Sequence, residues 1–139
     1  VADTSAAATT ELEGLTVRTS SLGVDETFET IVAALDAAPP INVVFTLEHD
    51  QNAARVDLDL APTKLIVFGN PSLGTPLMQI NRTVALDLPQ RILVWQEGDE
   101  VFVAYNDPSF VADRHGIPQT TPQLAIIAGA LANFTSQVQ

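Results

Sequence analysis

A chain of 139 residues with seventeen acidic and six basic side chains has a formal net charge of −11, a balance that repels polyanions and excludes nucleic acid as a natural partner. It has no cysteine, which excludes disulfides, thiolate zinc sites, iron–sulfur clusters and cysteine nucleophiles. Apolar residues make up 46% without a run of the ~18 that suggest a membrane span, so one soluble domain with no membrane insertion is expected.

Residues 1–11 are small and polar without periodicity and read as a flexible N-terminal tail, leaving 12–139 as a single α+β domain. The opening stretch has neither a basic region nor an apolar core. Taken as the trimmed start of an exported chain, it points to a periplasmic or secreted protein, with the cytoplasm as the alternative.

Leu15, Val17 and Thr19 alternate with Thr16, Arg18 and Ser20, the pattern of a half-buried strand. Val24, Phe28, Ile31, Val32 and Leu35 fall at helical spacing, with Asp25 and Glu26 near the positive N-terminal end and Pro39-Pro40 as the stop. Ile41, Val43, Phe45, Leu47 and His49 then share one face of a second strand, and Asn42, Val44, Thr46 and Glu48 the other. Residues 51–62 admit a short helix followed by a loop. The run Thr63 to Gly69 is almost continuously apolar, as in a strand covered on both faces.

Asn70 followed by Pro71 reads as an N-cap and first helical position, opening a helix that carries Leu77, Met78 and Ile80. Residues 91–105 form a hairpin turning at Gly98. A short helix starts at Asn106-Asp107-Pro108, and a longer one, beginning at Thr120 or Thr121 with Pro122 in its first turn, presents Leu124, Ile127, Leu131 and Phe134 on one face. The order β-α-β-(short helix)-β-α-β-β-α-α predicts an α+β fold, with about five strands in a mixed or antiparallel sheet packed with helices. Strands apolar on both faces need two covers. Helices supply one, and a second subunit is expected to supply the other, making a homodimer.

Taken together, VDETF at the first helix, EHD after the second strand, IVFGNPSLGTPLM, ALDLPQRILVW and VFVAYNDP resemble the bacterial domain-of-unknown-function family numbered 302. The match covers roughly residues 15 to 115. The resemblance implies a sheet-and-helix fold like that of TATA-box-binding-protein domains, and homodimers. It implies no activity.

Chemistry in the sequence is sparse. His49 continues an apolar face at the end of its strand, where an imidazole could ligate a transition metal or haem iron, or carry a proton; a core-edge hydrogen bond to the backbone is the plainer role. His115, beside Gly116 in a loop, is expected to be solvated. The two histidines stand 66 positions apart, so no H-x-x-x-H face exists. Met78 packs, or joins His49 as a thioether ligand. Gly69 to Thr75 lacks the lysine of a nucleotide-binding P-loop, which leaves a helix start able to hold a small anion or simply to be capped. No G-x-S-x-G elbow occurs. These residues lead to a binding protein whose small ligand or cofactor lies in an apolar pocket bordered by Phe45, His49, Phe68, Asn70 and Met78. Haem or a transition metal held by His49 is one alternative, and an enzyme using His49 as general acid or base is the other.

Overall fold

The structure is a computed structural model that describes residues 12–139; the expected tail, residues 1–11, lies outside the described residues. Five strands form one antiparallel sheet: β1 (Leu15–Ser20), β2 (Asn42–Glu48), β3 (Thr63–Gly69), β4 (Gln90–Glu97) and β5 (Glu100–Asn106), in the spatial order β1-β5-β4-β3-β2. Five helices punctuate them: α1 (Val24–Asp36), α2 (His49–Ala54), α3 (Pro71–Ile80), α4 (Pro108–Arg114) and α5 (Pro122–Ser136), with a 3-10 segment over Arg82–Asp87. The expected order of strands and helices holds, and the sheet is antiparallel throughout. Only the 3-10 segment is additional.

Local chemistry accounts for most of the boundaries. In α1, Val24, Thr27, Ile31 and Leu35 are buried at helical spacing, while Asp25 and Glu26 occupy the first turn. Thr27 keeps its hydroxyl satisfied against Ser20 Oγ at 2.6 Å. The α5 stripe of Leu124, Ile127, Leu131 and Phe134 is buried as its spacing requires. Gly98, at φ 59°, makes the two-residue turn between Glu97 and Glu100.

The two faces of the sheet differ. Ile66, Phe68, Ile92, Val94, Val103 and Tyr105 face the helices and form the main core with them. Ile31, Leu35, Ile66 and Ile92 are fully buried there, and truncating a buried Leu or Ile to Ala costs about 2–5 kcal/mol. On the opposite face, Trp95 stacks on Phe102 at 5.4 Å between ring centroids. Ala104, Leu15, Val17 and Leu93 pack around that pair.

One expectation about β2 fails. Its register shifts between Val43 and Phe45, so Val43 pairs with Phe68 while Phe45 pairs with Val67. Adjacent residues of a strand point to opposite faces, and an extra residue therefore reverses the pattern beyond it. Val43 stays on the helix-covered face with Phe68; Phe45 and Leu47 turn to the other. His49 does not continue the strand at all. It is the first residue of α2.

The EHD triplet has a structural use on both sides of that histidine. Glu48 accepts a hydrogen bond from Lys64 Nζ at 2.9 Å, and Asp50 Oδ1 accepts one from the Thr63 backbone N–H at 3.1 Å. Lys64, the chain's single lysine, is buried beside the Phe28 ring and also faces Asp25 at 3.5 Å. Burial lowers the Lys64 pKa, but the Glu48 hydrogen bond and charge, with Asp25, outweigh it and leave the group above its ordinary value.

Candidate functional site

A cavity of about 310 Å³ lies between the sheet's β2–β3 end and the helices, at the lower end of the range typical for small-molecule sites. Its floor includes Phe68 and Gly69 at the end of β3. Asn70, Leu73, Gly74 and Met78 of the α3 start line it, as do Ile127, Ala130 and Leu131 of α5. A further wall comes from Ala85, Leu88 and Pro89, and the β2 side contributes Ile41, Asn42 and Val44.

Each wall is placed by a feature of the sequence. Asn70 Oδ1 accepts from the Ser72 N–H at 3.0 Å and Pro71 occupies the first helical position, so the chain turns sharply from β3 into α3. The bulge in β2 makes Val44 the extra residue. It is 54% exposed and lines the cavity in place of Phe45.

Of the five expected pocket residues, the structure brings Phe68, Asn70 and Met78 together. Phe45 lies outside the lining, 48% exposed, because of the register shift. His49 also lies outside it, as the strand ends one residue earlier. The His49–Met78 pairing is therefore not assembled at this cavity. Among the described residues, no group of three or more His, Asp or Glu side chains is placed to hold a metal ion.

The start of α3 offers no open anion site. Pro71 has no N–H, the Ser72 N–H is taken by Asn70 Oδ1, and the Leu73 and Gly74 N–H groups both donate to the Asn70 carbonyl at 2.9 Å. Asn70 is a cap. Among the described residues, the lining contains no titratable side chain. Its polar character rests on Thr75 and on the side-chain amides of Asn42, Asn70 and Gln90.

A second polar cluster sits behind the cavity wall. His115 is not solvated, as its loop setting suggested, but 7% exposed. Its Nε2 lies 2.5 Å from Asp87 Oδ2 and its Nδ1 2.9 Å from Thr83 Oγ1. Asn81 Nδ2 donates to the His115 carbonyl at 2.8 Å, and Asn81 Oδ1 caps the 3-10 segment by accepting from the Thr83 N–H. Arg114 reaches the same Asp87 carboxylate from the exposed side at 3.0 Å. The cluster ties the 3-10 segment to the end of α4 and so sets the position of Ala85 and Leu88. Sequence reasoning missed Gln90 and Asp87. Only the Asn81-x-Thr83 spacing, which permits a second side-chain cap, was available as a signal.

The family model described as "Domain of unknown function DUF302" matches residues 15–134. A crystal structure described as an uncharacterized conserved DUF302 protein from Bacillus stearothermophilus superposes with a TM-score of 0.81 at 19% identity. It covers 92% of this chain and 100% of its own. Proteins named "Fluoride-specific ion channel FluC 1" from Brucella suis and Brucella abortus are each 44% identical over 105 residues, 75% of this chain. The match covers 41% and 38% of those proteins, so the chain spans about two fifths of their length.

Proposed function

The chain belongs to the DUF302 family, and on that premise we propose that it is a non-enzymatic binding protein holding a small, largely apolar molecule between β3, α3 and α5. The observation that carries this reading is the cavity of about 310 Å³, apolar and, among the described residues, without a titratable lining group. An acid or base catalyst needs such a group within hydrogen-bond reach of its substrate. The readings through His49, whether metal, haem or general base, find no support in this cavity. Fluoride conduction belongs to the name of relatives more than half of whose length lies outside the match. No described helix here is long and apolar enough to cross a membrane. Conduction is not part of this reading.

The test uses N-phenyl-1-naphthylamine, an uncharged probe that fluoresces in apolar surroundings. Saturable binding at one probe per cavity is expected, and Ala130→Phe, which fills the space from α5, should weaken it about tenfold or more. Unchanged binding in a folded Ala130→Phe variant removes this site from consideration.

A second reading concerns assembly. Phe45 is 48% exposed on the sheet face away from the helices, beside Val67, and Val56 and Leu58 in the β2–β3 connection are exposed by 65% and 64%. Burial of these side chains favours a homodimer. Light scattering should then give twice the mass of one 14.8 kDa chain; a monomer at micromolar concentration rules it out.

A further inference from the structure

We infer that the cavity selects uncharged amphipathic molecules, with alcohol or amide head groups, and that Gln90 reads the head group. The inference rests on the cavity reading above and adds the class of ligand. Three observations converge on it.

Among the described residues the lining has no charged side chain, and the chain as a whole carries −11. An ionised head group entering an apolar space without a partner loses its hydration and gains nothing in return. Carboxylates meet a further obstacle. The one helix that starts at the cavity has spent its first N–H groups on Asn70. A cation would need an acidic partner, and none of the described residues lining the space is acidic.

Gln90 is the side chain placed for recognition. It opens β4 directly opposite Phe68, on the helix-covered face, and is half-buried. It borders both the main cavity and a small neighbouring void lined by Val84 and Ile127. Its amide is not among the buried polar atoms left without a partner in the described residues. A primary amide both donates and accepts, which matches a hydroxyl or an amide and leaves a carboxylate or an ammonium only partly satisfied. Asn42 and Asn70 also contribute amides, but Asn70 Oδ1 is already occupied by the Ser72 N–H.

The experiment holds the apolar body constant and varies the head. Octanol, octanamide, octanoate and octylammonium compete against N-phenyl-1-naphthylamine at about pH 8, where both of the last two are charged. Octanol and octanamide should displace the probe about tenfold more effectively than either ion. Gln90→Leu should weaken octanol and octanamide by about fivefold to tenfold relative to the probe, whose affinity for the variant is measured separately. Gln90→Glu should reverse the preference and admit octylammonium. Equal displacement by octanol and octanoate, or an unaltered series in Gln90→Leu, overturns the assignment while the cavity still binds the probe. Failure of the native protein to bind the probe at all takes down the cavity reading itself, and this inference with it.

Discussion

His115 Nε2 and Asp87 Oδ2 lie 2.5 Å apart in the interior face of the 3-10 segment, with 5% and 17% of their side chains exposed. The opposite ring nitrogen is engaged by Thr83, so one buried imidazole joins two ends of the same short segment. Removing one partner strands the other without water. Asp87→Ala is expected to lower stability by about 1–3 kcal/mol. Arg114→Ala should cost under about 1 kcal/mol, since that guanidinium is more than half exposed. Urea denaturation compares them, and equal losses would mean that the exposed pair, not the imidazole, holds the segment.

Two asparagines cap consecutive segments and are not equivalent. Asn70→Ala removes one cap bond and should cost about 1 kcal/mol. Asn81→Ala removes the bond to the Thr83 N–H and also the one to the His115 carbonyl, so about 2 kcal/mol is expected. Thermal melting ranks the two variants; a larger loss at Asn70 contradicts this account of the wall.

Asp50 and Lys64 give stability opposite dependences on pH. Burial raises the Asp50 pKa, but the Thr63 N–H, its own N–H, the Gln51 amide and the Lys64 charge outweigh that and hold it below its ordinary value. A lowered carboxyl contributes above its unfolded value of about 3.9 and loses that contribution as pH falls through the folded value. Lys64 is raised, so it contributes fully below about 10.4 and loses this as pH climbs through its folded value. The stability gap between the native protein and Asp50→Asn should therefore close in acid. The gap to Lys64→Met should close in strong base. Melting curves across pH decide this, and a Lys64→Met gap that widens in base reverses the sign assigned here.

His49→Ala should leave N-phenyl-1-naphthylamine binding within about twofold, because the ring begins α2 outside the cavity lining. Loss of binding in a folded His49→Ala protein would move the site to the EHD turn.

The sequence was legible where its period was uninterrupted. Val24 to Leu35 and Leu124 to Phe134 announced their buried stripes, Asn70-Pro71 its cap, and Gly98 its turn. The candidate site was half legible. Phe68 and Met78 follow from a buried strand leading into a helix, but alternation assigned Phe45 to the wall where Val44 stands. A bulge inserts no special residue into the run Val43-Val44-Phe45, so composition carries no mark of it. Gln90 and Asp87 escaped for a different reason: their roles depend on neighbours brought in from β3 and from the end of α4. His115 looked like a loop residue because nothing near it in the chain supplies a carboxylate.

The connection of β1 to the rest of the sheet has a consequence for the order in which the chain can fold. Leu15 pairs with Asn106, and the Ser21 N–H and Ser20 hydroxyl both donate to the Val138 carbonyl near the last residue. Strands β2 to β5, by contrast, each pair with a neighbour in sequence. Close partners meet early, and distant ones pay for closing a long loop first. During synthesis β1 emerges before β5 yet waits for it, and its end is clamped only when Val138, just past α5, has left the ribosome. Pulse-labelled hydrogen exchange during refolding should accordingly protect the amides of β3 and β4 before those of β1.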